Sequence, residues 1–285
     1  MSVGQPSDPR FRTRIKGAGR GKKSMAARAD RHQLYEAAVQ DPESEVAFVQ
    51  RTYQRLRKKP AMRLREDFCG TAYFSVHWAQ THAGREAWGL DLAQPTLDWG
   101  RAHHVEPAGD AVASRVHLLC ENVLRGKTPK VDVCCAFNFS YWIFQERASL
   151  LSYFKAVRKA LRSDGIFFLD AMGGTDVPQH DVNARREDGF IYRWEHIDYN
   201  ALTNNLRCAI HFEFDDGSSI ENAFFYDWRL WSLPEIKEML TEAGFSKVRF
   251  MFERTDEDGE GTGAYFEPKV EDNEGLWWAY IVAER

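Results

Sequence analysis

The chain has 285 residues, 44 % hydrophobic and 28 % charged, enough for one large domain or a domain carrying an inserted element around a real core. Its net charge of −4 excludes nucleic-acid binding driven by overall charge, no apolar run reaches bilayer-spanning length, and the basic N-terminus lacks the apolar segment of a secretory signal. Five cysteines with no CxxC pair read as reduced thiols of a cytoplasmic protein, whereas nine Trp, ten Tyr and nineteen Phe exceed what a core needs and suggest a ligand pocket.

Residues 1–23 form a basic stretch that reads as a disordered tail or as an arm for an anionic partner. Residues 24–58 read as a helical cap: one helix over 24–39, then a second opening at Pro42 and running through Val46, Val49, Tyr53 and Leu56. Strands then alternate with helices across residues 59–172: strands at Ala61–Asp67, Ala87–Leu92, Val116–Cys120, Val131–Phe137 and Gly165–Ala171, with helices at Thr71–Thr81, Gln94–His103 and Arg147–Leu161. This rhythm predicts βαβ units in a doubly wound sheet. Over residues 173–231 the rhythm breaks into strands at Phe190–His196, Asn205–Phe214 and Ser219–Tyr226, with a hairpin turn at Asp215-Asp216-Gly217, so an antiparallel insertion is expected. Residues 232–285 supply a helix opened by the capping box Ser232…Glu235 and closed at Gly244, then the strands Lys247–Glu253 and Trp277–Glu284, expected to be antiparallel.

The sharpest local signal is Leu64-Arg65-Glu66-Asp67-Phe68-Cys69-Gly70-Thr71-Ala72, where a strand ends in acids, turns through small residues and opens a helix. Such a loop lets a ligand lie against the backbone at the carboxyl end of a parallel sheet, and the helix N-terminus suits an anion. About 20 residues on, Trp88-Gly89-Leu90-Asp91-Leu92 ends a strand in an acid, the distance expected for a ribose ligand. A third strand runs into Cys120-Glu121-Asn122-Val123. The absence of a complete G-x-G-x-x-G argues against a dinucleotide.

These segments resemble the class I S-adenosylmethionine-dependent methyltransferases. Glu66 matches the acid of the family's first motif, and Cys69-Gly70-Thr71 match the centre of its G-x-G-x-G loop. Phe68 and Ala72 stand where the outer glycines usually are. The resemblance implies an α/β fold: a doubly wound, seven-stranded, mostly parallel Rossmann-like sheet with an antiparallel β insertion before the last helix. It implies S-adenosyl-L-methionine as cofactor and S-adenosyl-L-homocysteine as product. The cofactor would be held by Glu66, Phe68, Cys69, Gly70, Thr71, Ala72, Asp91, Leu92, Asn122, Val123 and Asn138. Asn138-Phe139-Ser140-Tyr141 loosely resembles the Asn-Pro-Pro-Tyr motif of amino-group methyltransferases without its prolines. This makes Asn138 and Tyr141 candidates for the catalytic face, by binding an amine or by lining the cofactor.

The insertion is the expected lid that selects the acceptor. Candidate pocket residues are Tyr35, Tyr141, Trp142, Tyr226, Arg229 and Trp231. Arg229, a candidate for the catalytic face with Asn138 and Tyr141, is read either as a clamp for a substrate carboxylate or phosphate or as a structural ion-pair partner. His211 reads as a satisfied core histidine. The acidic stretch Thr255–Gly263 lacks calcium-loop spacing and reads as a solvated turn or as a cover favouring a cationic acceptor. No metal is expected. A small-molecule acceptor is the first reading, with no membrane or nucleic-acid partner and the oligomeric state open. The alternatives are a methyltransferase acting on protein or RNA through the basic arm, and a non-catalytic S-adenosylmethionine-binding regulatory protein.

Overall fold

A computed structural model describes residues 8–17, 24–257, 261–273 and 275–285. In chain order its elements are β1 (Arg14–Lys16), α1 (Met25–Arg28), α2 (Arg31–Val39), α3 (Pro42–Arg57), β2 (Arg63–Asp67), α4 (Tyr73–Gln80), β3 (Glu86–Asp91), α5 (Gln94–Gly100), α6 (Asp110–Ala113), β4 (Val116–Cys120), β5 (Val131–Ala136), α7 (Arg147–Ala160), β6 (Leu161–Gly173), β7 (Asp181–Glu187), β8 (Phe190–Asn200), β9 (Asn205–Glu213), β10 (Ser219–Arg229), α8 (Leu233–Glu242), β11 (Lys247–Thr255), β12 (Gly261–Phe266) and β13 (Trp277–Glu284). They fall into two compact units. One comprises Pro42–Gly173 and Trp231–Arg285, and the other joins Gly174–Leu230 to the N-terminal segment through Asp41. No helix among the described residues is long and apolar enough to cross a membrane.

The first unit is built on a mixed sheet of order β12-β11-β13-β6-β5-β2-β3-β4. Strands β4, β3, β2, β5 and β6 run parallel, and β13 is antiparallel to both β6 and β11. Because β5 returns to the other side of β2, a crevice opens at their carboxyl ends, where open α/β sheets bind ligands. β5 is buried along its whole length, including Asp132, whose carboxylate accepts from the Met62 and Arg63 N–H groups. On one face Val46, Phe48 and Val49 of α3 and Phe74 and Trp78 of α4 pack with Leu64, Val133, Ile166 and Phe168. On the other, Phe154 of α7 meets Phe167 of β6 edge to face, 6.1 Å between centroids. The Ser232–Glu235 capping box is formed, and Gly244 ends α8 at φ 95°.

The sheet has eight strands where the sequence predicts seven. The extra one is β12, from the acidic stretch read as a turn, and residues 258–260 of that stretch lie outside the described residues. Its glycines allow the pairing: a Cβ at Gly261 would stand 2.7 Å from the Glu253 carboxyl carbon, and the Glu253 carboxylate accepts from the Gly263 N–H at 2.6 Å.

The second unit is an antiparallel sheet of order β1-β10-β9-β8-β7. Registered neighbours place Tyr192, Trp194 and His196 of β8 on one face with Ile210 and Cys208 of β9 and Phe224, Tyr226 and Trp228 of β10. The opposite face is polar, with Arg193 paired to Glu213 and Arg207 to Asp198. Two departures from the sequence reading occur here. Residues 24–39 form two helices, because the Asp30 carboxylate caps α2 by accepting from the N–H groups of His32 and Gln33. Within the stretch read as a tail, residues 1–7 and 18–23 lie outside the described residues, but Arg14–Lys16 adds an edge strand to β10 and Phe11 stacks on Phe225 at 4.5 Å. Strand β7 went unpredicted because it is exposed and has no apolar alternation to mark it.

At the heart of the first unit, the Arg65 Nε donates to Asp67 Oδ1 at 2.7 Å with both side chains sealed from solvent. The remaining bonding capacity is used: Arg65 donates to the carbonyls of Val123 (2.6 Å) and Gly126 (3.2 Å), and Asp67 Oδ2 accepts from the Tyr153 hydroxyl at 3.0 Å. Removing one member would leave an uncompensated buried charge. Asp67→Ala is therefore expected to lower unfolding free energy by ~3–5 kcal/mol in urea titration. A loss below ~1 kcal/mol would mean that water or another acid replaces the pairing.

Candidate active site

The turn after β2 keeps a glycine-like path without the glycines. Phe68, Gly70 and Ala72 all lie in the left-handed region, at φ 60°, 55° and 59°. For the two non-glycine residues this conformation costs ~1–2 kcal/mol each, so neighbouring structure must hold it. Phe68 is held by its ring, packed 5.6 Å from Tyr153 and 6.1 Å from Phe144. Ala72 is sealed as the N-cap of α4, where its methyl group can make no capping bond of its own. Two glycines outside the turn let it approach other elements. A Cβ on Gly89 of β3 would press 2.9 Å from the Cys69 sulfur, and one on Gly100 at the end of α5 would sit 2.1 Å from the Thr71 carbonyl oxygen.

The acid ending β3 is tied to this turn. Asp91 Oδ2 accepts from the Gly70 N–H at 3.0 Å and Oδ1 from the Ala93 N–H at 2.9 Å, which fixes the carboxylate against the turn. Leu92 is 64 % exposed, unusual for a leucine at the mouth of a crevice. After β4, Asn122 is exposed and closes a tight turn, its Oδ1 accepting from the Leu124 N–H at 2.9 Å, while the buried Val123 is clamped by Arg65 through its carbonyl. Glu66 points into the structure: its Oε2 accepts from the Ser75 N–H at 3.0 Å and the Ser75 hydroxyl at 2.5 Å. Burial pushes its carboxyl up to about 8 against these two bonds.

Beyond the carboxyl end of β5, Asn138 and Phe139 are also left-handed, both at φ 56°. The carboxylate of Asp170 on β6 receives both their N–H groups, at 2.5 and 2.9 Å. Tyr141, expected on the catalytic face, is fully buried and donates its hydroxyl to the Asp170 carbonyl at 2.8 Å. It is an anchor of the turn, because a sealed phenol with a backbone partner offers nothing to an acceptor. Trp142 and Trp231, expected as pocket walls, are likewise buried, with Trp231 donating to the Phe144 carbonyl at 3.2 Å. Asn138 itself stays half-exposed.

The other expected pocket residues, Tyr35, Tyr226 and Arg229, belong to the second unit. Tyr226 is buried against Trp228 (4.3 Å) and Trp194 (5.7 Å), Tyr35 tilts onto Phe224 at 4.8 Å, and Arg229 ends β10 half-buried. His211 is a satisfied core histidine: its Nδ1 accepts from the Asn222 N–H at 3.1 Å, so Nε2 carries the proton and donates to Glu195 at 2.9 Å. Sequence reading missed Asp170, the Arg65–Asp67 pair and the packing roles of Gly89 and Gly100. Asp170 lies inside β6, which runs on to Gly173, so the strand-end signal that marked Asp91 does not single it out.

Glu66 has a measurable consequence. Its proton is held more tightly in the folded than in the unfolded protein, where ionisation begins near the ordinary carboxyl value of 4.5. Stability should therefore fall as pH rises from that value towards 8, by up to ~1.4 kcal/mol per unit from this group. Glu66→Gln keeps an acceptor for Ser75 and should flatten that slope in denaturation measured from pH 5 to 9, whereas an unchanged slope would place the titration elsewhere.

No family model matches the chain, and no curated protein is similar enough in sequence to match it. Solved structures do match. An S-adenosylmethionine-dependent methyltransferase from Clostridium acetobutylicum superposes with a TM-score of 0.63 at 17 % identity, over 89 % of this chain and 96 % of that one. CalS10, an amino pentose methyltransferase from Micromonospora echinaspora, gives 0.62 at 15 % identity over 89 % and 95 %. The sugar N-methyltransferase KedS8 from Streptoalloteichus gives 0.57 at 16 % identity over 100 % and 98 %. With five parallel strands reversing at β2, an antiparallel β13 beside β6, and a left-handed turn facing a strand-end acid, the chain has the fold of the S-adenosylmethionine-dependent methyltransferases.

Proposed function

We propose that the protein is a methyltransferase that uses S-adenosyl-L-methionine to methylate a small molecule and releases S-adenosyl-L-homocysteine. The observation that carries this reading is the bond from the Gly70 N–H to Asp91, which joins the left-handed turn to the strand-end acid at the crevice. The residues fit the cofactor. Small buried residues at Cys69–Ala72 bring the turn's backbone close to the start of α4, where the Glu66 carboxyl already accepts from the Ser75 N–H. Glu66 is the candidate partner of the ammonium group, Asp91 of the ribose hydroxyls, Leu92 of one adenine face, and Asn122 and Val123 of the adenine edge.

S-adenosylmethionine, when bound, supplies a sulfonium-activated methyl group. What remains for the chain is to align an acceptor and exclude water. We assign Asn138 to the methyl side of the site and keep Tyr141, Trp142 and Trp231 as the packing beneath it. The sugar and amino pentose named for two of the matching structures support a small-molecule acceptor. The basic arm lends little to a nucleic-acid reading, because in its described part Arg10 pairs with Asp8 and Lys16 with Glu221. Five free cysteines support a cytoplasmic location.

Calorimetric titration with S-adenosylhomocysteine tests this reading, and one-site binding is expected. Asp91→Ala should weaken that binding by roughly 10- to 100-fold, the loss of one or two hydrogen bonds to a charged group. Unchanged affinity in Asp91→Ala would place the ribose elsewhere, and no binding by the folded wild-type protein would overturn the assignment.

A further inference from the structure

Two turns at the crevice use left-handed residues, and in each a carboxylate of a neighbouring strand accepts from turn amides. In the turn after β2 the Gly70 N–H donates to Asp91 of β3. In the turn after β5 the amides of Asn138 and Phe139 converge on the chain's own Asp170. Successive N–H groups in such a conformation form a concavity that attracts an anion. Here the anion is covalently part of the neighbouring strand. Asp170 touches the turn at three points, two through its carboxylate and one through its carbonyl, which accepts from Tyr141. Its register partner on β13 is Tyr280, whose ring meets Phe137, the residue leading into the turn, at 5.4 Å. No glycine or proline shapes the segment Phe137–Tyr141. Its path must be imposed from outside, and Asp170 is the group that reaches it.

We propose that Asp170 is a positioning residue for methyl transfer: by holding the Asn138 and Phe139 amides it sets where Asn138 stands at the methyl side of the cofactor site. This rests on the reading that the chain binds S-adenosylmethionine. A carboxylate can serve both amides at once, whereas a carboxamide offers one oxygen and turns an NH₂ group towards the other N–H. Asp170→Asn should therefore leave the turn half-held while removing no atom from the candidate cofactor residues.

The test compares two probes that differ at the methyl position. S-adenosylhomocysteine has nothing there, and sinefungin carries an amine. Both are titrated calorimetrically into wild-type protein and Asp170→Asn, with Asp170→Glu as a second variant should the first fail to fold. The expected result is S-adenosylhomocysteine affinity within about 2-fold of wild type and a change of about 5-fold or more in the ratio of the two affinities. Equal losses for both probes, or no change in either, would overturn the positioning role, since a purely stabilising residue would not move the ratio. Failure of wild-type protein to bind S-adenosylhomocysteine would instead overturn the functional reading on which the inference stands.

Discussion

The buried Arg65–Asp67 pair is the constraint on which the parallel-sheet unit of this protein depends. It joins the last turn of β2 to the Val123–Gly126 loop through Arg65 and to α7 through Asp67 and Tyr153. Both ions are sealed, so each bond they make is hard to give up: losing one leaves a charge that protein cannot solvate. The loop after β4 and the helix α7 are thereby fixed to one charged centre in β2. A neutral core of the same volume could be as stable, but it would not specify which loop sits over which strand.

Around that centre the chain holds unfavourable backbone by two different means. Phe68 and Ala72 are kept left-handed by packing, one through its ring and the other by burial at the start of α4. Asn138 and Phe139 are kept left-handed by a carboxylate. Packing holds a turn whatever the pH, whereas a carboxylate holds it fully only when charged. Burial pushes the Asp170 carboxyl up to about 7 and the Glu66 carboxyl at the start of α4 up to about 8, so each turn has a neighbouring carboxyl whose charge depends on its surroundings.

The second unit follows a different logic. Its sheet gathers aromatic rings on one face and ion pairs on the other, and its N-terminal segment closes an edge that would otherwise be open to pairing. Asp216 shows how local and distant chain are joined. Its carboxylate accepts from Ser218 within the β9–β10 turn and from the Met25 N–H at the start of α1, 2.8 Å away. One turn acid thus serves both a hairpin and a helix start.

The sequence by itself determined the βαβ rhythm, the insertion and the position of Glu66 and Asp91 at the ends of strands, because periodicity and strand-end acids are local signals that survive without contacts. It also determined that the outer positions of the loop, Phe68 and Ala72, are not glycine. Only the tertiary structure decided that those residues nevertheless follow a glycine path, since the packing that holds them comes from Tyr153, Phe144 and α4. It alone turned Tyr141, Trp142 and Trp231 from pocket walls into core, because an aromatic residue looks the same in sequence whether it faces a ligand or other side chains. It alone joined Asp170 to Asn138 and Phe139 across 32 and 31 positions, and added β1 and β12 as strands, because a backbone pairing partner leaves no mark in the segment that receives it.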